Sequence, residues 1–179
     1  MKKIQNFIDG KLINNSKETL SVYDPSTGEK ISDVFMSNDK DFEDVIASSK
    51  KSQIEWQNTT PLKRSRVLSK YKVLIEENIQ ELAELVSLEH GKTLEDAKGS
   101  VTRGLEVVEF ACGIPHLLKG EYSENVGTNI DSWSIRQPLG ICVGITPFNF
   151  PAMVPMWMYP ISIACGNSFI LKPSEKDPS

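Results

Sequence analysis

The residues best suited to chemistry gather near the end of this chain. Asn149 stands in Thr146-Pro147-Phe148-Asn149-Phe150-Pro151, and Lys172 and Glu175 stand in Lys172-Pro173-Ser174-Glu175. Pro147 and Pro151 each fix their own φ and restrict the residue before them, so the loop is stiff. An amide held in this way either serves its own turn or aims a hydrogen-bond donor outward. Lys172, taken alone, reads as a strand-end lysine in water. Arg103, between Gly99 and Gly104, reads alone as a surface or ion-paired arginine. Cys112, Cys142 and Cys165 are odd in number and lie in apolar contexts, which describes buried reduced thiols. No pair has metal-ligand spacing, and His90 and His116 stand alone, so no metal site is expected.

The elements around these residues should place them together. Residues 140–145 are a short apolar run bounded by Gly and Pro, the pattern of a strand buried on both faces. A mostly apolar helix is expected over 152–165. Gly166-Asn167 punctuates it, and residues 168–172 form a second buried strand stopped by Pro173. Two buried strands joined by a helix make a βαβ crossover in a parallel sheet. Ligands of such sheets sit beyond the carboxyl ends of the strands. Loop 146–150 and segment 172–176 are therefore expected side by side.

Upstream, Asp9-Gly10 between apolar residues predicts a hairpin over 7–13. Residues 21–28 read as a strand entering a Pro/Gly turn, with 29–35 returning. Asn38 is a candidate N-cap with Asp39 and Asp41 in the first turn. Phe42, Val45, Ile46, Ser49, Gln53 and Trp56 then form an amphipathic stripe. Thr60-Pro61 opens the next helix. Its stripe is Leu68, Tyr71, Leu74, Ile75, Ile79, Leu82, Leu85 and Val86, with a break near Asn78 and a stop at Gly91. Lys63, Arg64, Arg66 and the Glu76-Glu77 pair are read as solvated faces. Thr93-Leu94-Glu95-Asp96 has the form of a capping box and starts a helix to about Gly113, with Val101, Leu105, Val108 and Phe110 apolar. Gly99 and Gly104 are read as points of close packing. Strands over 121–125 and 130–137 flank Gly127-Thr128-Asn129. Trp133 and Ile135 alternate with Ser132, Ser134 and Arg136, giving one apolar face. Such a hairpin could contact another subunit or cover its own.

The chain has 179 residues, 39% of them hydrophobic, and a net charge of −4. That suits one or at most two globular domains, and with no Lys/Arg cluster it argues against nucleic acid. Met1-Lys2-Lys3 leads into no apolar h-region, and no apolar run reaches the ~18 residues of a membrane span. A cytoplasmic protein without a membrane partner is expected. A two-stranded parallel sheet would keep open edges, so an N-terminal piece of a longer protein is expected.

Several separated stretches resemble one family. Pro147-Phe148-Asn149-Phe150-Pro151 resembles the signature of NAD(P)-dependent aldehyde dehydrogenases. Lys172-Pro173-Ser174-Glu175, at its spacing from Asn149, looks like their cofactor-ribose segment. The 7–13 hairpin and Tyr23-Asp24-Pro25-Ser26-Thr27-Gly28 look like the family's opening. Phe148, where many members have Trp, is similar to the CoA-acylating methylmalonate-semialdehyde branch. So are Glu89-His90-Gly91-Lys92-Thr93-Leu94-Glu95-Asp96-Ala97 and the stretch from Arg103 to Ala111. The fold implied is α/β, the N-terminal part of an aldehyde dehydrogenase. Residues 1–120 would be an N-terminal hairpin and the helical part of the cofactor-binding domain. Residues 121–138 would be an oligomerisation-type hairpin, and 139–179 the first βαβ unit of a Rossmann-like NAD-binding domain, cut short.

The resemblance also implies a reaction. Methylmalonate or malonate semialdehyde is converted oxidatively to propanoyl-CoA or acetyl-CoA, with NAD reduced and CoA taking the acyl group. A thiolate attacks the aldehyde, and negative charge develops on its oxygen. Asn149 aligns with the oxyanion donor of that step. Thr146, Phe148, Lys172, Glu175 and the position of Lys176 align with NAD contacts. Arg103 aligns with the residue that holds the substrate carboxylate, which a guanidinium can bind in a bidentate way. No Gly-x-Gly-x-x-Gly occurs, so the cofactor assignment rests on the resemblance. Neither Cys142 nor Cys165 occupies the family's nucleophile motif. The nucleophile and the general-base glutamate are expected past Ser179, leaving the chain inactive alone. A homodimer or homotetramer is implied for the whole protein. Two other readings stand beside this one: a hydrolytic NAD-dependent aldehyde dehydrogenase, and a non-catalytic interaction module.

Overall fold

The computed structural model describes residues 2–179. The chain opens on short strands: β1 (Lys2–Ile4), β2 (Asn6–Ile8), β3 (Lys11–Ile13), β4 (Thr19–Tyr23) and β5 (Lys30–Phe35). β2 and β3 form the expected hairpin. Asp9 and Gly10 turn it with φ of 51° and 73°, the left-handed pair that Asp-Gly tolerates. β4 and β5 pair antiparallel across the Pro25–Gly28 turn, and β1 joins β5 in parallel.

Helix α1 (Asp39–Trp56) starts at a complete capping box. Asp41 N–H donates to Asn38 Oδ1 at 3.1 Å, and Asn38 N–H donates to Asp41 Oδ2 at 3.0 Å. Asn15 N–H also donates to Asp41, at 2.9 Å, so this carboxylate ties the exit of the hairpin to the helix. Burial alone would raise the Asp41 pKa, but the Asn38 and Asn15 hydrogen bonds outweigh it and hold the group below its ordinary value.

α2 (Pro61–Glu77) and α3 (Ile79–His90) are separated at Asn78, as the pattern predicted. Gly91 ends α3 in the left-handed region, φ 83°. Thr93 caps α4 (Leu94–Cys112) by accepting from Asp96 N–H at 3.3 Å. The hairpin β6 (Tyr122–Gly127) and β7 (Ile130–Trp133) follows, then β8 (Ile141–Ile145), α5 (Met153–Ala164) and β9 (Ser168–Lys172). β8 and β9 are parallel, with α5 as their crossover. Among the described residues no helix is long and apolar enough to cross a membrane.

α4 is the centre of the packing. Its Val101, Leu105 and Val108 meet Ile75 of α2 and Met156 of α5, its Ala111 meets Leu68 and Ala164, and its Ala97 meets Ala83 and Val86 of α3. Removing this apolar area from water, at roughly 25 cal/mol per Å², is what joins the helices to the βαβ unit.

Several sequence expectations need correction. Phe42, Leu74 and Phe110 are 64%, 56% and 56% exposed. They lie at the margins of stripes wider than the contacts those helices make. Arg64 is no solvated arginine. It is 4% exposed, and its Nε–H donates to the Ala164 carbonyl at 2.9 Å. Its Nη1 also donates to the Thr59 carbonyl. A cation at the carboxyl end of α5 satisfies a carbonyl that the helix cannot. The strands of the βαβ unit are not buried on both faces. Val143 and Ile145 are 60% and 73% exposed, because α5 packs on the Gly144 side only. β7 stops at Trp133, short of the predicted Gln137, and its apolar face lies in solvent with Trp133 67% exposed.

The two helical glycines of α4 also separate. A Cβ on Gly104 would lie 2.7 Å from Met156 Sδ and 3.3 Å from Met153 Cα, so α4 and α5 touch there through missing side-chain volume. A Cβ on Gly99 would meet nothing within 4 Å, so the close-packing reading fails at that position. Thermal or urea unfolding should therefore move in opposite directions. Gly99→Ala is expected to stabilise the fold by about 0.5–1 kcal/mol through helix propensity alone. Gly104→Ala is expected to destabilise it by about 1–3 kcal/mol through overpacking.

Candidate active site

The register of β8 and β9 sets the site. It runs from Ile141 opposite Ser168 to Ile145 opposite Lys172, and beyond the last pair Thr146 N–H donates to the Lys172 carbonyl at 3.1 Å. Both loops therefore leave the same edge of the sheet, where an open α/β unit takes its ligands. A second contact joins them: Lys176 Nζ sits 4.1 Å from the centroid of the Phe148 ring. Thr146, Phe148, Lys172 and Lys176, each singled out in the sequence, thus meet.

Lys172 Nζ pairs with Glu175 Oε2 at 3.1 Å, both side chains about half exposed. Glu175's own backbone N–H, and after it Lys172, hold that carboxyl below the usual range. Thr146 is 5% exposed, and its Oγ1 is buried without a hydrogen-bond partner. A buried hydroxyl left unpaired is costly, and here it lies at the edge where a polyhydroxylated ligand would dock. Basic, acidic and hydroxyl groups together fit a nucleotide ribose.

Asn149 is exposed, and no hydrogen bond among the described residues involves its carboxamide. The reading in which it serves its own turn therefore has no bond to rest on. Its backbone lies against the His90 ring. Arg103 is exposed on α4, one residue before Gly104, where α4 meets the first turn of α5.

All three cysteines are free and only partly buried, so the expectation of fully buried thiols is corrected. Cys142 and Cys165 look outward from β8 and the end of α5 into an open apolar hollow of about 560 Å³ beside Trp157 and Leu139. Burial pushes the Cys165 thiol above its ordinary pKa, with Arg64 acting the other way. None of the three lies in the Asn149 loop.

Sequence reasoning missed the residues behind the two loops. Asp177 and Glu89 are 4% and 7% exposed and face each other where the segment after β9 meets the end of α3. Burial first, and then the Glu89 charge, raise the Asp177 carboxyl from its ordinary 3.8 to about 6. His90 and Lys92 flank Gly91 under the Asn149 loop. Burial, and then the Lys92 charge, lower the His90 pKa, which favours the neutral ring. The one signal available was the density of ionisable residues in Glu89-His90-Gly91-Lys92 at a helix end, where a solvated C-terminus was the simpler expectation.

The raised Asp177 pKa has a definite sign. The folded state holds this proton more tightly than the unfolded chain, so stability falls as pH rises from about 4 to about 6 and stays lower above that. Asp177→Asn is expected to raise the unfolding midpoint by about 2–4 °C at pH 7.5 and to change it little at pH 4. Calorimetry at the two pH values checks this, and an equal shift at both would contradict it.

Known proteins resemble this chain along nearly its whole length. The description of the aldehyde dehydrogenase family matches residues 12–179. A malonate-semialdehyde dehydrogenase of Pseudomonas aeruginosa is 52% identical over 179 residues, which is 100% of this chain and 36% of that protein. The acylating mitochondrial methylmalonate-semialdehyde dehydrogenase of Arabidopsis thaliana is 46% identical over 177 residues, covering 98% of this chain and 29% of the relative. A Sinorhizobium meliloti structure, assigned as a methylmalonate-semialdehyde dehydrogenase and solved with NAD, superposes with a TM-score of 0.97 at 51% identity. It is covered to 36%, and this chain to 99%. The chain thus spans about a third of the length of the proteins it matches. By sequence and by fold, it belongs to the aldehyde dehydrogenase family.

Proposed function

We propose that these residues supply the oxyanion donor and one side of the NAD site of a CoA-acylating malonate- or methylmalonate-semialdehyde dehydrogenase. The observation that carries the proposal is the joining of the two loops at one sheet edge. Thr146 N–H binds the Lys172 carbonyl at 3.1 Å, and Lys176 sits 4.1 Å above Phe148. The Asn149 loop and the Lys172–Glu175 segment are therefore held as one body. The names of the relatives and the NAD-bound neighbour support the same reading.

Bound NAD supplies the hydride acceptor. Lys172 donates to ribose hydroxyls and Glu175 accepts from them, with the Thr146 hydroxyl and the Phe148 side chain beneath. Asn149 donates its amide N–H to the substrate oxygen as that oxygen gains charge. Such a donor contributes roughly 3–4 kcal/mol when it is held fixed, and the flanking prolines stiffen its loop. Arg103 takes the substrate carboxylate. Carbon balance requires that carboxylate to leave as CO₂ or bicarbonate when a propanoyl or acetyl thioester is formed. We place the thiolate nucleophile and the general base outside residues 1–179, since none of the three cysteines here faces the loop. In the whole protein, residues 1–120 and 139–179 build the NAD domain and 121–138 form the subunit-contact hairpin of a dimer or tetramer, in a cytosolic setting. The solvent-facing Trp133 fits that last role.

Two measurements test the proposal. The complete enzyme should need CoA for sustained NADH formation from malonate semialdehyde, while the 179-residue chain forms none. NADH formation that is indifferent to CoA would favour the hydrolytic reading. Arg103→Ala should raise KM for malonate semialdehyde by about tenfold or more, the scale of a lost charged hydrogen bond, and leave KM for propanal nearly unchanged. Equal effects on the two substrates would remove Arg103 from the carboxylate site.

A further inference from the structure

Lys92 follows the left-handed Gly91 between α3 and α4, and its side chain is only 7% exposed. An ammonium so far from water must be held by its neighbours. It donates to Ser100 Oγ at 3.3 Å. Asp96 Oδ2 lies 3.4 Å away, but that carboxylate is 64% exposed and its pull is screened by water. The remaining side of the ammonium rests on the Phe150 ring, 4.3 Å from its centroid. Phe150 directly follows Asn149. His90, two residues before Lys92, lies against the Asn149 backbone. Of the residues flanking Gly91, Lys92 thus holds Phe150 by charge on its aromatic face, while His90 lies near the Asn149 main chain with its Nδ1 left without a hydrogen-bond partner.

We infer that Lys92 is a positioning residue for Asn149. Its ammonium on the Phe150 ring sets where the carboxamide points, and its desolvated charge lies behind the loop on which the substrate oxygen becomes negative. The inference rests on the reading of Asn149 as oxyanion donor. A lysine of this kind acts on the rate of the step that builds charge more than on the binding of either ligand, because a donor displaced by a fraction of an ångström still leaves the ribose contacts intact.

The test uses the complete protein carrying Lys92→Met, Lys92→Arg and Phe150→Leu, with Asn149→Ala as the reference background. Lys92→Met keeps the length of the side chain and removes the charge. Phe150→Leu removes the ring and leaves the lysine. Either change is expected to lower kcat for propanal about tenfold, ~1.4 kcal/mol of barrier, with KM and NAD Kd within about twofold. In the Asn149→Ala background neither change should lower kcat further, and Lys92→Arg should restore most of the loss. Hydrogen exchange at residues 147–151 should quicken in Lys92→Met while the β8 amides keep their protection. Equal losses with and without Asn149, an unchanged kcat, or exchange that quickens equally in β8 would each overturn the inference. The two readings separate cleanly. An unsubstituted complete protein that forms no NADH ends the dehydrogenase proposal, whereas the exchange at 147–151 decides Lys92's hold on the loop in either case.

Discussion

A parallel strand pair dictates where its connections emerge, and the rest of this molecule depends on that constraint. With Ile145 opposite Lys172, the loop after β8 and the segment after β9 must leave the same edge. A slip of one residue would turn every side chain of β9 to the other face and move Lys172 away from Thr146. The register is held at its other end by polar groups, where the crossover returns. Gln53 donates to the Gly166 carbonyl at 3.0 Å and accepts from Ser168 N–H at 2.5 Å. Trp56 donates to the Ile163 carbonyl at 2.9 Å, Arg64 to Ala164, and Asn167 accepts from Gly140 N–H at 2.9 Å. α1 and α2 thus act as a clamp on the α5–β9 turn. The loops with chemical groups are at the opposite end, where the clamp leaves them accessible.

The second organising contact is at the other side of α5. Gly104 lets α4 approach Met153 and Met156 closely, and the first turn of α5 is the direct continuation of the Asn149 loop. The end of α3 reaches the same place. Its last residues lie under both loops, Glu89 against Asp177 and His90 against Asn149. Two loops already joined to each other at the sheet edge therefore also share one support, the joint between α3 and α4. A change in that joint reaches the Lys172–Glu175 segment and the Asn149 loop together.

This support carries a cost in stability. Glu89 and Asp177 are carboxyl groups of like tendency in a place poor in water, and Thr146 Oγ1 and Asp177 Oδ1 are buried without partners. Such groups weaken a fold unless a ligand or a shared proton satisfies them. At the Asp41 box, by comparison, three N–H donors converge on one carboxylate. Unpartnered buried groups are not confined to the loops, however: Asn6 Nδ2, Ser32 Oγ, Ser162 Oγ and Ser168 Oγ lie within the scaffold.

Local chemistry made much of this legible from the residues. The Asp9-Gly10 turn, the Asn38, Thr60 and Thr93 caps, the break at Asn78 and the stop at Gly91 each depend on a few adjacent residues, and each formed as read. The βαβ unit was legible for the same reason, since apolar runs bounded by Gly and Pro have few other folds, and motif resemblance led to the family. What the pattern could not reveal was which face of an amphipathic element finds a partner. Arg64 and Gln53 are polar by type yet buried, because carbonyls and an amide of the α5–β9 turn, distant in the chain, needed satisfying. Phe110 and Ile145 are apolar by type yet exposed, because no described element covers them. Lys92 and Asp177 likewise meet Phe150 and Glu89 only because tertiary packing brings the end of α3 beneath two loops far away in sequence. Periodicity reports which residues share a face. Only the three-dimensional packing decides what that face meets, because that is set by contacts between residues that the sequence keeps apart.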